Sequence, residues 1–225
     1  MAQKIKKENE AAGQQNIAAT VSSVEQFFKN NGKKLWTAVA VVVVVGLAVL
    51  AYSKFIYQPK CEQAMQAAYP AELSFQQGEW EIALNGDGNV LGFADVINEY
   101  GTKAGKAVYL YAGICNLQLG QNEEALQFLG KYSGKDPILA ARAEACKGDA
   151  YVGLGDYQKA VACFEKAVAT ADNVFAAAYL LKAGVTYEAL QQPQKAVACY
   201  KQIKDKYPQS IEAYDIERYI NRIAE

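Results

Sequence analysis

The chain has 225 residues, 52% of them hydrophobic, and its 23 basic and 24 acidic residues leave a formal charge of −1. That balance argues against a nucleic-acid binder, which needs a basic surface. The absence of histidine removes the commonest general base and the commonest metal ligand.

Near-neutrality hides a polarity along the chain. The segment up to Lys34 carries six basic and three acidic residues, net +3, whereas the part after Gln58 carries sixteen basic and twenty-one acidic residues, net −5. Residues 1–21, rich in Gln, Asn, Lys and Glu, are expected to form a disordered tail. With Ser22 or Ser23 as N-cap, residues 22–34 read as a juxtamembrane amphipathic helix carrying Val24, Phe27 and Phe28. Its apolar side has two fates, lying among lipid headgroups or docking a partner.

Leu35 to Ser53 is uncharged and includes Val41 to Val45 in a row. Nineteen residues at helical rise cover about 28 Å, the thickness of a bilayer core. Only a helix satisfies the amides of a single segment in lipid, so residues 35–57 are expected to be one transmembrane helix. Trp36 before it and Tyr52, Phe55 and Tyr57 after it suit interfacial anchoring. Lys4, Lys6, Lys7, Lys29, Lys33 and Lys34 precede the span and only Lys54 and Lys60 follow closely, which predicts a cytoplasmic amino terminus. A cleaved signal peptide is the competing reading. The long preceding segment and the length of the apolar run favour an uncleaved anchor.

Beyond the span, residues 58–225 show an internal period. Gly113, Gly148 and Gly184 are spaced by 35 and 36 residues, and so are Ala125, Ala160 and Ala196. Each glycine is followed by a turn, each alanine by a large side chain: Leu129, Phe164 or Tyr200. Small residues suit close helix crossings and large ones fill the adjoining holes. These residues resemble the tetratricopeptide (TPR) signature, which implies an all-α fold: a single N-terminal transmembrane helix followed by a solenoid of helical hairpins. The expected repeats run over about 106–139, 141–174 and 177–209. A divergent first hairpin occupies 58–100, with Gly78-Glu-Trp80 as its turn and Ala64, Ala67, Ala68 and Leu73 as the stripe of its first helix. Asn85-Gly-Asp-Gly-Asn89 interrupts that hairpin before helix resumes over Val90 to Tyr100. The loop lacks the terminal Glu of a calcium loop and reads as a turn. A capping helix is expected over 210–224.

No nucleotide-binding or nucleophile-elbow motif occurs, so the sequence points to no catalytic residue, cofactor or metal. Cys163 and Cys199 recur at one repeat position and suit small buried hydrophobes. Cys115 and Cys146 lie in first helices; a thiol function for either is the enzymatic alternative. A TPR array implies binding of a protein partner in a groove lined by successive first helices. The candidates are Leu110, Tyr111, Ile114 and Leu117 from one repeat, Arg142, Ala145, Cys146 and Asp149 from the next, and Leu181, Lys182, Val185 and Glu188 from the third. Leu110, Ile114, Leu181 and Val185 equally suit packing against neighbouring helices, and both readings stay open on the sequence alone.

Val24-Glu-Gln-Phe-Phe-Lys-Asn-Asn-Gly-Lys-Lys-Leu35 running into one span and then a small TPR domain resembles the YfgM-like family of bacterial inner-membrane proteins. The resemblance implies a single-pass protein of the bacterial inner membrane with its TPR domain in the periplasm. It also implies partners among SecYEG translocon subunits, a periplasmic chaperone or newly translocated clients, and neither a nucleic acid nor a small-molecule substrate. Phe93-Ala-Asp-Val-Ile-Asn-Glu-Tyr100 and Lys204-Asp-Lys-Tyr-Pro-Gln-Ser210 also resemble TPR scaffolds of outer-membrane assembly and cell-wall coordination. That is the alternative function.

Overall fold

The computed structural model describes Gln26 and residues 29–224. The expected tail and most of the juxtamembrane helix, including Val24, Phe27 and Phe28, lie outside the described residues. The chain divides into two compact units, Met1–Pro59 and Lys60–Glu225.

In the first unit helix α1 spans residues 29–52 and a π-helical turn, Ser53–Tyr57, follows. None of its most apolar stretch is buried, and Trp36 and Val42 are 75% and 71% exposed. The helix is long and apolar enough to cross a membrane.

The second unit is built of α2 (Gln58–Gln77), α3 (Trp80–Asn85), α4 (Phe93–Tyr100), a 3-10 turn (Gly101–Ala104), α5 (Ala107–Gln118), α6 (Asn122–Lys131), α7 (Pro137–Gly153), α8 (Tyr157–Thr170), α9 (Phe175–Ala189), α10 (Pro193–Lys206), α11 (Ile211–Tyr214) and α12 (Ile216–Ala224). Every regular element among the described residues is helical.

One turn recurs at every hairpin. At its centre Gly78, Gly120 and Gly155 have φ of 79°, 76° and 77°. The next amide donates back to the carbonyl five residues earlier: Glu79 to Ser74 (2.9 Å), Gln121 to Asn116 (2.8 Å), Asp156 to Tyr151 (2.9 Å). This left-handed closure satisfies carbonyls that a helix end leaves free and reverses the chain within two residues. Between α9 and α10 the same geometry falls on Gln191, φ 56°, with Gln192 donating to Tyr187 (2.9 Å). Five residues past each turn centre stand Ala83, Ala125, Ala160 and Ala196, all fully buried. Hairpins α2–α3, α5–α6, α7–α8 and α9–α10 are therefore four copies of one unit.

Seven residues before the turn centres stand Ala71, Gly113, Gly148 and Gly184. A Cβ on Gly113 would lie 2.6 Å from Leu129, and one on Gly148 would lie 2.5 Å from the Phe164 ring; one on Gly184 would overlap the Tyr200 ring. Leu129, Phe164 and Tyr200 sit at one repeat position and are at most 1% exposed. Each glycine is thus the socket for the large side chain of its own second helix. In the first hairpin that position is Asp87, beyond the end of α3, so no large side chain arrives and Ala71 fits.

The interruption ends one turn later than the sequence suggested. Asp87 Oδ1 accepts from the amides of Asn89 (2.8 Å) and Val90 (2.9 Å), and helix resumes only at Phe93. Gly92 closes the loop, because a Cβ there would strike the backbone of Leu84 and Gly86. The stripe of α2 is Ala64, Ala68 and Ala71 with Phe75; Leu73, expected in it, is 39% exposed. Phe75 packs edge-on against Trp80 (centroids 5.3 Å) and Phe93 (6.0 Å), tying α2 to α3 and α4.

The expected capping helix breaks at Asp215 into α11 and α12. Ser210 caps the first piece by accepting from Ala213 (3.2 Å). The break lets Ile216, 1% exposed, enter the core beside Ile203, with Tyr219, Ile220 and Ile223 packed on the same cluster. The outer residues Glu217, Arg218 and Arg222 stay in solvent, as an end cap requires.

Candidate protein-binding groove

The first helices α5, α7 and α9 line two pockets. One, of about 260 Å³, is bounded by Leu110, Tyr111 and Ile114 of α5, by Ile138, Leu139 and Arg142 of α7, and by Phe175 and Tyr179 of α9, with Phe75 at its edge. The other, of about 270 Å³, lies between Asp149 and Val152 of α7 and Leu181, Lys182, Val185 and Thr186 of α9, with Phe164 and Tyr219. The sequence-derived candidates Leu110, Tyr111, Ile114 and Arg142 thus come together in the first pocket, and Asp149, Leu181, Lys182 and Val185 in the second.

Their roles differ. Leu110 is 1% exposed and Ile114 9%, so their edges floor the pocket while their bodies belong to the core. Val185 is 47% exposed and Arg142 is on the surface. Ala145 and Cys146 are buried beneath, and Leu117 packs partly buried against the α5–α7 cluster. Glu188 is held by Arg222 of α12, which donates to both carboxylate oxygens at 2.8 Å, and by the Tyr200 hydroxyl. It fastens the cap.

The charges sort in the same way. Lys182 donates to both oxygens of Asp149, at 2.7 and 2.6 Å, and its Nζ lies 5.9 Å from the Phe164 ring centre. That pair bridges adjacent repeats and is internally neutral. Among the described residues no carboxylate forms an ion pair with Arg142; its influence falls on Cys146 and Tyr179, whose own ionisation burial suppresses. Arg142 is the uncompensated charge of the apolar pocket.

Some lining residues escaped the sequence reading: Phe75, Ile138, Leu139, Phe175 and Tyr179. The candidate positions follow from repeat starts at about 106, 141 and 177, whereas α7 and α9 begin earlier, at Pro137 and Phe175, and the pocket extends over those first turns. A signal was present, since Leu139, Phe175 and Ile211 are spaced by 36 residues. On the opposite side, α8 and α10 border a pocket of about 440 Å³ that includes Glu165, Asp172, Gln202 and Tyr207. Its carboxylates are already engaged, Glu165 by the Tyr187 hydroxyl and Asp172 by those of Tyr207 and the ammonium of Lys206.

Cys146, the thiol beneath this surface, is buried, and burial raises its pKa. Burial pushes Cys115 up to about 12 and Cys199 up to about 11, far from the thiolate form at neutral pH. No group of three or more metal-ligating side chains occurs among the described residues.

The tetratricopeptide repeat family matches residues 139–209, which comprise most of α7 and all of α8, α9 and α10. These hairpins are similar to tetratricopeptide repeats. The fold is similar to that of MamA, known from a crystal structure, with a TM-score of 0.52 and 18% identity over 68% of this chain and 92% of that one. No curated protein matches the sequence. The repeats imply a protein–protein interaction scaffold, and TPR domains generally bind protein partners.

Proposed function

We propose that the chain is a membrane-anchored scaffold that captures a protein partner on the first-helix face of its TPR unit. The observation that carries this is a pair of first-helix pockets, mostly apolar in their lining, one including the exposed Arg142 and the other the Asp149–Lys182 pair. An exposed apolar concavity beside a charge offers a partner area to cover and a group to orient on. The apolar α1 supports attachment to a membrane, and the lysine bias before it supports a cytoplasmic amino terminus. With the resemblance at Val24 to Leu35, this reading places the TPR unit in the periplasm of a bacterium. It would act there beside the Sec translocon, holding a chaperone or a newly exported client near the exit site. Anchoring raises the local concentration of such a partner without tight binding.

The test is brief crosslinking in native membranes, mild-detergent purification of the tagged full-length protein, and mass spectrometry of what accompanies it, compared with Arg142→Glu combined with Phe175→Ser. Phe175 is half exposed, so the pair alters the groove with little change to the core. Translocon subunits or periplasmic folding factors should accompany the wild type and be depleted at least severalfold by the variant. Equal recovery of those partners by both proteins contradicts groove capture. Recovery of outer-membrane or cell-wall machinery in their place contradicts the translocon role.

A further inference from the structure

The groove does not end with the last complete repeat. Repeat arithmetic carries its lining onto the cap: Leu139 and Phe175 continue to Ile211, Arg142 and Ala178 to Tyr214, and Ala143 and Tyr179 to Asp215, each step 36 residues. α11 packs beside α9, as the first helix of a further repeat would. Ile211 and Tyr214 are 91% and 90% exposed, far more than the half-exposed Phe175 at the equivalent place. The capping role leaves them unexplained, because the core is closed by Ala213 of α11 and by Ile216, Tyr219, Ile220 and Ile223 of α12. Asp215 is exposed and forms no ion pair among the described residues, so the extended strip starts at a cation, Arg142, and ends at a carboxylate, neither of them matched by an opposite charge among those residues. Between them Lys182 and Asp149 cancel each other.

We infer that this strip binds an amphipathic helix of a partner protein that carries a carboxylate at one end of its apolar face and a Lys or Arg at the other. The inference rests on the first-helix face being the binding face, and it adds the partner's class and the placing of its charges. A helix with its side chains is about 10 Å across, so crossing from α7 past α9 to α11 spans roughly 20 Å. A helix covers that distance in about 11 to 13 residues. Its apolar side chains recur on one face every three or four residues, and a residue and the one seven further along are about 10.5 Å apart. That is close to the width of one helix, the step expected between Leu139, Phe175 and Ile211 at equivalent places on successive first helices. In an extended chain, residues three apart, at a similar distance, point to opposite faces. The carboxylate of the partner meets Arg142, and its basic end meets Asp215. A polyacidic partner is disfavoured, because the sequence after Gln58 is itself net −5.

The test uses the full-length protein in nanodiscs and three fluorescent 16-residue helical peptides of one Leu-faced sequence. The first has Glu near one end and Lys eleven residues away on the same face, the second has Lys at both places, and the third has Gln at both places. The first peptide should bind at least tenfold tighter than the other two. Arg142→Glu, which leaves a carboxylate at each end of the strip, should make the second the tightest, and Ile211→Ser combined with Tyr214→Ser should weaken all three about tenfold. An order unchanged in Arg142→Glu overturns the inference. So does full binding by the Ile211/Tyr214 variant, which would end the groove at α9. If no peptide binds, the inference falls. A photo-crosslinker at Phe175 that still captures a native protein would then leave the first-helix reading standing, and one that captures nothing would remove both.

Discussion

At the scale of single residues, backbone conformation and void shape set the sequence. Gln191 holds a left-handed conformation that Gly120 and Gly155 hold freely, and such a conformation costs a residue with a Cβ about 1 to 2 kcal/mol. Gln191→Gly should therefore raise stability by up to about 1 kcal/mol, after the greater chain entropy of glycine in the unfolded state is deducted. Thermal unfolding of the TPR unit checks this, and a lowered Tm would contradict it. Gly148→Ala should act in the opposite direction. It gains helix propensity but forces a Cβ onto the Phe164 ring, and overpacking of about 1 to 3 kcal/mol outweighs that gain. The exposed Gly130→Ala, which meets nothing within 4 Å, is the control and should not destabilise. The glycine and alanine periods were legible in the sequence because close approach leaves few alternatives. Gln191 was not, because a turn position filled by a larger residue breaks the pattern that reveals it.

At the scale of elements, α12 is the piece on which the last repeat depends. Chain termination after Gln209 would uncover Tyr200 and Ile203 and remove the buried Ile216 and the half-buried Ile220 and Ile223. The loss of apolar burial is worth roughly 3 to 6 kcal/mol, so the truncated unit should melt lower and scatter light on warming. Tyrosine–carboxylate bonds join neighbouring elements: Tyr187 to Glu165, Tyr200 to Glu188 and Tyr207 to Asp172. Burial first, and the adjoining carboxylate second, raise all three phenols above the ordinary tyrosine value of 10.0, Tyr207 to about 12. The folded state prefers the neutral phenol. This stabilisation is complete below about pH 10, where the unfolded chain starts to ionise, and is lost as pH rises toward the folded values. Tm should fall above pH 10, together with the appearance of tyrosinate absorbance, and less steeply in Tyr200→Phe. The helical repeat around these contacts was legible from the 35- and 36-residue period. The break at Asp215 was not, since an uninterrupted amphipathic pattern covers 211–224 and only packing of Ile216 divides it.

At the scale of the whole molecule, an apolar helix and a unit of helical hairpins share one chain. The sequence displayed both, through an uncharged run and a 35-residue period. About the groove it was less informative: it indicated which helices form the face and much of the pocket lining, but not the residues at the helix starts, Ile138, Leu139 and Phe175. Core and groove share the same apolar alphabet, so Leu110 and Ile114 turned out to be mostly interior while Ile138 and Phe175 stand at the surface. The central claim is that the first-helix face captures a protein partner while the chain is attached to a membrane. Its most direct test is a photo-crosslinking amino acid placed singly at Arg142, at Tyr214 and, on the opposite side, at Gln202, in the full-length protein in its native membrane. Discrete adducts to one partner from Arg142 and Tyr214, and none from Gln202, are the predicted result. Adducts from Gln202 alone would contradict the account and move binding to the second-helix face.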